Sequence, residues 1–275
     1  MTMTNNATPA LAILAGGGQL PGLLAAAAQA QGWGVHLVTF AGQPQPASNF
    51  PVVSSREFPL GQIGHILAHL KKNKVTHVAL AGHLHKPGVL SLKPDAMGLK
   101  LLARAVIKHD DALLRAVTDF LEEEGFIITG VKELAPQLVA PAGLLSRAKP
   151  DDEEKEDIVL ARNTLAVLGD LDIGQAVVVN KGAILGVEAA EGTDALIERC
   201  AVLRGDGDAG GILVKRAKPL QTELADLPFV GPVTLQLLAR YGYRGLAVQT
   251  GKTLLLNQPE LTEIANAHKI FILCE

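Results

Sequence analysis

Residues 11–32, LAILAGGGQLPGLLAAAAQAQG, constrain this chain more tightly than any other stretch. LAILA is a short apolar run with no polar face, which reads as a strand buried on both sides. Three glycines end it, and Pro21 then presets the backbone angle of a helix start. The Leu/Ala run that follows favours helix, and Gly32 closes it. A strand that feeds a helix through a glycine turn is the first half of a βαβ unit, which requires a parallel partner strand.

The next hundred residues repeat that alternation. GVHLVTF has strand character, GQIGHILAHLKKNK reads as a helix with Ile63, Ile66 and Leu67 on one face, and HVALAG is a buried strand stopping at a glycine. A helical region from Asp95 to about Glu124 precedes a strand, FIITGV. The pattern predicts a Rossmann-like parallel α/β domain over residues 8–138.

Prolines 136, 141 and 150 punctuate a domain boundary, with a linker expected at 139–150 and a second domain over 151–275. The acidic run Asp151–Asp157 suits the first turn of a helix, where carboxylates face the positive end of the dipole. Beyond it QAVVVNKGAILGVE reads as a hairpin through Asn180-Lys181-Gly182. EGTDALIERCAVL reads as a helix beginning near Thr193 or Asp194, GGILVKRAKP as a strand and GPVTLQLLARYG as a helix. GLAVQTGKTLLLNQ reads as a second hairpin, PELTEIANAHK as a helix and IFILCE as a terminal strand. The fold expected overall is α/β, with a mixed α+β domain following the parallel one.

Composition narrows function. A formal net charge of -3 and no basic stretch interleaved with aromatics speak against nucleic-acid binding. Cys200 and Cys274 stand outside any CxxC or Cys/His spacing, which fits small buried hydrophobes in a reducing cytoplasm. The N-terminal apolar stretch lacks the preceding cation of a secretory signal, and no segment reaches the ~18 uninterrupted apolar residues of a membrane span.

Several stretches carry residues suited to chemistry. Gly16 and Gly18 match a dinucleotide fingerprint, yet Pro21 stands at the third glycine's position. The second strand ends VTFAGQP, without the acid that would bind a ribose. That weakens a nicotinamide oxidoreductase and leaves a glycine turn before a helix, a general phosphate site or a tight turn alone. In LAGHLHKP, Gly82, His83, His85 and Lys86 end another strand and would face the same crevice. Asp110 and Asp111 precede an amphipathic helix, where capping explains them. Glu188, Glu191 and Asp194 put three carboxylates within seven residues, a set that suits Mg²⁺, although capping explains Thr193 and Asp194 equally well. Lys215, Lys218, Gln221 and Asp226, with Pro228 and Pro232, place cations beside one carboxylate, which suits phosphoryl chemistry.

In chain order LAGGGQLPG, HDDALLRAV, APAGLLSR, LDIGQAVVV, EGTDALI and ILVK with DLPFVGPVT resemble the LpxI family, the UDP-2,3-diacylglucosamine pyrophosphatases of lipid A biosynthesis. The family's last motif more often reads Gln-Asp-x-Arg-x-Asp-x-Pro. Here Thr222 and Leu224 replace the first acid and the arginine, with Glu223 out of register, while Gln221, Asp226 and Pro228 are retained. The resemblance implies Mg²⁺-dependent hydrolysis, with attack at the β-phosphorus, giving UMP and 2,3-diacylglucosamine 1-phosphate. It also implies a two-domain homodimer, cytoplasmic, with peripheral contact to the inner membrane. Asp226 would be the essential carboxylate and a metal ligand, with Glu188, Glu191 and Asp194 as further metal candidates and Lys215, Lys218 and Gln221 beside the pyrophosphate. Gly16, Gly17, Gly18, Gln19, Leu20, Pro21, Gly82, His83, Asp111, Gln175 and Thr193 would contact the substrate. The rival to an enzyme is a protein that binds a sugar nucleotide without turnover.

Overall fold

The structure is a computed structural model that describes residues 9–47, 50–85, 92–104, 110–204, 210–218 and 227–275, with backbone alone at 104 and 110–113. It divides into two compact units, and the chain passes from the first to the second at Pro136–Gln137.

The first unit alternates strands and helices: β1 (Ala10–Ala15), α1 (Leu20–Ala30), β2 (Gly34–Phe40), β3 (Ser54–Phe58), α2 (Ile63–Lys72), β4 (His77–Ala81), α3 (Ala96–Arg104), α4 (Asp110–Glu123), β5 (Ile127–Ile128) and α5 (Val131–Leu134). Among the described residues the strands form one parallel sheet in the order β3-β2-β1-β4-β5. Ile13 of central β1 lies between Leu37 and Ala79. Both faces of β1 are covered, which is why its sequence is apolar without alternation. Ala12 and Leu14 pack with Val38, Val78, Leu67 and Leu70, while Leu11 and Ile13 are also buried.

Helix α1 buries Pro21, Leu24, Ala25 and Ala28. It ends as the sequence predicts. Gly32, at φ +84°, donates to the Gln29 carbonyl and Trp33 to the Ala28 carbonyl, so the last turn's carbonyls are satisfied. Within the single helical region expected over 95–124 two helices are described. The expected strand at FIITGV is confined to Ile127–Ile128. Edge strand β3 escapes a hydrophobicity reading because only Phe58 of SSREF is buried.

The second unit contains β6 (Gly143–Leu144), α6 (Asp152–Asp170), β7 (Ala176–Asn180), β8 (Ala183–Val187), α7 (Thr193–Arg204), β9 (Ile212–Lys215), β10 (Phe229–Val230), α8 (Pro232–Arg240), β11 (Gly245–Val248), β12 (Leu254–Leu255), α9 (Gln258–His268) and β13 (Phe271–Cys274). Its main sheet has the order β6-β13-β11-β9-β7-β8 among the described residues. The pairs β13–β11 and β11–β9 are parallel, and the others antiparallel. Strand alternation sorts the side chains into two cores. Val177, Val179, Ile212, Val214 and Phe271 meet Ile158, Ala161 and Leu165 of α6. Val178, Leu213, Leu246 and Ile272 meet Leu196 and Ile197 of α7, Leu235 and Leu238 of α8, and Leu261 of α9.

Helix α6 begins in a capping box. The Asp151 carboxylate accepts from the Glu154 amide at 2.8 Å, and Glu154 accepts from the Asp151 amide at 2.9 Å. The β7–β8 hairpin turns through Lys181 and Gly182, both at positive φ. GLAVQTGKTLLLNQ is not a hairpin. Strand β11 lies between β9 and β13, and β12 pairs in parallel with β10 in a separate two-stranded sheet. The chain between them is held from outside: Thr250 donates to the Glu275 carbonyl and Gly251 to that of Ala140. Burial pushes the Cys200 thiol above its ordinary value and that of Cys274 up to about 11, as inert buried hydrophobes require. Among the described residues, no helix is long and apolar enough to cross a membrane.

Candidate functional site

In the first unit the strand order reverses at β1, with β2 on one side and β4 on the other. The loops after β1 and β4 therefore flank a topological switch point, where parallel α/β sheets hold ligands. Gly16–Gly18 and Gly82–His83 meet there backbone to backbone. Gly16 donates to the Ala81 carbonyl and Gly17 to the His83 carbonyl, both at 2.8 Å, and His83 donates back to the Gly17 carbonyl at 3.1 Å. Side chains cannot fit this approach. A Cβ on Gly16 would sit 2.3 Å from the His83 carbonyl oxygen, and one on Gly82, at φ +88°, 2.5 Å from that of Gly17. Two of the three glycine amides thus hold the β4 loop, and the His83 ring stands over Gly17 and Gly18. Gln19, whose side chain makes no cap, precedes Leu20 and the buried Pro21 at the start of α1.

The second unit gathers Glu188, Thr193 and Lys215. Glu188 follows β8, Thr193 opens α7 and Lys215 ends β9. Ile212 and Val214 face α6, so the alternation of β9 turns Leu213 and Lys215 toward the α7 side. The Lys215 ammonium donates to Thr193 Oγ1 at 2.8 Å and to the Phe229 carbonyl at 3.1 Å, and lies 5.5 Å from the centre of the Phe229 ring. Thr193 Oγ1 donates in turn to Glu188 Oε1 at 2.5 Å, and Glu188 Oε2 accepts from the Gln175 amide at 2.9 Å. Glu188 is 8% exposed and Lys215 7%. The result is a buried chain from cation through hydroxyl to carboxylate. Gln175 takes part through its backbone, and its carbonyl also accepts from the Arg216 amide.

Lys218 pairs with Asp172, which lies at φ 58° just beyond α6. Arg216, Lys218, Gln249 and Lys252 line a cavity of about 170 Å³ beside Leu165. Gln249 also accepts from the Ala217 amide at 3.2 Å. This arrangement of three cations and an amide suits a phosphate-bearing ligand. Asp172, Arg216, Gln249 and Lys252 were not singled out from the sequence. The signal available was positional, since Arg216 lies next to Lys215, and Gln249 and Lys252 follow a buried strand on the same sheet end.

The carboxylates expected to bind metal are placed differently from one another. Glu191 accepts from Arg199 at 2.8 Å and from the Ala189 amide at 3.0 Å, and hydrogen bonds from its own amide and then Arg199 hold its carboxyl below the ordinary value. Both oxygens of Glu188 also accept from protein donors. Asp194 is exposed. Among the described residues no group of three or more His, Cys, Asp or Glu side chains could hold a metal ion. Gln221, Asp226, Lys86 and the side chain of Asp111 lie outside the described residues.

Comparison with known proteins covers nearly the whole chain. Residues 10–138 match the LpxI N-terminal domain and residues 141–273 the LpxI C-terminal domain. The chain is 35% identical over 272 residues to the UDP-2,3-diacylglucosamine pyrophosphatase LpxI of Caulobacter vibrioides, spanning 96% of each protein. With both domain models matched in order and a relative aligned end to end, this chain belongs to the LpxI family.

Proposed function

We propose that the chain hydrolyses the pyrophosphate bond of UDP-2,3-diacylglucosamine to UMP and 2,3-diacylglucosamine 1-phosphate, a step of lipid A synthesis. The observation that carries this reading is the full-length match to a relative named for that activity. In the hydrolysis, water adds to one phosphorus, the bridging P–O bond breaks, and the proton released passes to solvent or to a base.

The residues divide the work. The cations Arg216, Lys218 and Lys252 attract the pyrophosphate electrostatically and offset charge as the bridging oxygen leaves. Asp226, in the segment following that cluster, orients the attacking water. The turn at Gly16–Pro21, with Gly82 and His83, holds the nucleotide, and Asp111, Gln175 and Gln221 complete the substrate contacts. Mg²⁺, carried by Asp226 and the substrate's own oxygens, would neutralise the pyrophosphate. Asp194 is a second carboxylate available to it. A homodimer and peripheral contact with the cytoplasmic face of the inner membrane complete the proposal, read by sedimentation and by flotation with anionic liposomes.

Asp226→Ala tests the assignment. Turnover is expected to fall about 100-fold or more, with thermal unfolding and substrate binding unchanged. Unchanged turnover removes Asp226 from the chemistry, and binding without turnover by the unaltered protein would leave a sugar-nucleotide-binding protein instead.

A further inference from the structure

We infer that the loop after β2, residues 41–47, is a third wall of the nucleotide site proposed above at the switch point, a reading on which this inference rests. Within that loop Gln43 is a positioning residue, acting through the β4 loop that carries His83. In a dinucleotide fold the end of β2 supplies the acid that binds a ribose. Here FAGQPQPA, residues 40–47, offers carboxamides and prolines in its place.

The loop is built outward from β2. Ala41 donates to the Phe58 carbonyl at 2.9 Å, and Gln43 to that of Phe40 at 3.1 Å. The Gln45 carboxamide donates back to the Phe40 and Gln43 carbonyls, at 3.2 and 3.0 Å, which gives the turn internal support. Its two ends then tie to different neighbours. Ala47 donates to the Gly18 carbonyl at 2.9 Å, and Gln43 Oε1 accepts from the His85 amide at 2.8 Å. Pro44 lies between these ties. A Cβ on Gly17 would meet both Pro44 Cβ and His83 Cε1, so the proline and the imidazole close on the same point.

Three loops thereby form a closed ring. The β1 loop meets the β4 loop through Gly16 and Gly17, the β2 loop meets the β1 loop through Ala47, and Gln43 joins the β2 and β4 loops. His83 stands two residues before that last link, with Nδ1 3.7 Å from where a Gly18 Cβ would be. Gln19 and His83 are exposed, so a ligand can reach them. Without the Gln43 acceptor, the chain beyond His83 loses its tie to the β2 loop. Ordering the imidazole over the glycine turn then costs part of the binding energy. That cost falls on ground state and transition state alike, so it appears in KM and leaves kcat unchanged.

The test titrates UMP into the whole chain by calorimetry and compares two variants. Gln43→Met keeps the length and deletes the acceptor, whereas Gln43→Glu keeps an acceptor oxygen. Gln43→Met is expected to raise the UMP Kd about 3–10-fold, the range of one neutral hydrogen bond. KM should rise alike, with kcat within about twofold. Gln43→Glu, read in about 0.5 M salt to screen its charge, is expected to bind UMP within about twofold of the unaltered protein. Hydrogen exchange of the His85 amide should quicken in Gln43→Met while the Gly17 amide stays unchanged. Unaltered UMP affinity in folded Gln43→Met, or a fall in kcat at constant KM, overturns the inference. A Gln43→Glu protein that binds no better than Gln43→Met overturns it too. If the unaltered protein neither binds nor releases UMP, the function proposed above fails and the third wall fails with it. Turnover and UMP binding that Gln43→Met leaves intact defeat the third wall alone.

Discussion

Gly17 shows at the residue scale why the glycine turn has its composition. A Cβ there would lie 2.5 Å from the Pro44 Cβ and 2.8 Å from His83 Cε1, with the loop backbones already bonded to each other. Gly17→Ala is expected to destabilise the first unit by about 1–3 kcal/mol through overpacking. Chemical denaturation would read this, and an unchanged midpoint would show that the β4 loop yields freely. Gly16, Gly17 and Gly82 stand where a side chain does not fit, and the sequence shows only part of the reason. Glycine next to a helix suggests phosphate, whereas the close approach of β4's loop arises from strands more than sixty residues apart in sequence. Glu188, Thr193 and Lys215 were each legible as chemically unusual. Their connection was not, because it joins the ends of β8 and β9 to the start of α7.

At the scale of elements, patterns that depend on local order were readable. The Asp151–Glu154 capping box carries the start of α6. Asp151→Ala is expected to cost about 1 kcal/mol, since the Glu154 amide loses its acceptor. A thermal midpoint lowered by a few degrees is the readout, and no shift would mean that solvent replaces the cap. Runs buried on both faces, such as β1 and β11, were legible as strands but not in their pairing. Strand β11 looked like one arm of a hairpin because Gly251 turns the chain shortly after it. Its partners, β9 and β13, are distant in sequence, and only the assembled sheet reveals them. Strand β3 carries too little apolar surface to announce itself.

At the scale of the molecule, two sheets of different character carry two sets of candidate residues. The parallel sheet presents glycine loops at its switch point, and the mixed sheet presents cations at the ends of β9 and β11. The stretch 139–150 contributes β6, which pairs with β13, and Ser146, which accepts from the Ile272 amide and donates to the Ala148 carbonyl. The account's central claim is that this assembly hydrolyses a glycolipid pyrophosphate. The direct measurement incubates the purified protein with UDP-2,3-diacylglucosamine in detergent, with Mg²⁺ or with EDTA, and follows nucleotide release. The account predicts UMP and 2,3-diacylglucosamine 1-phosphate in equal amounts, formed with Mg²⁺ and lost with EDTA. Intact substrate in both arms, or release of UDP in place of UMP, would contradict it.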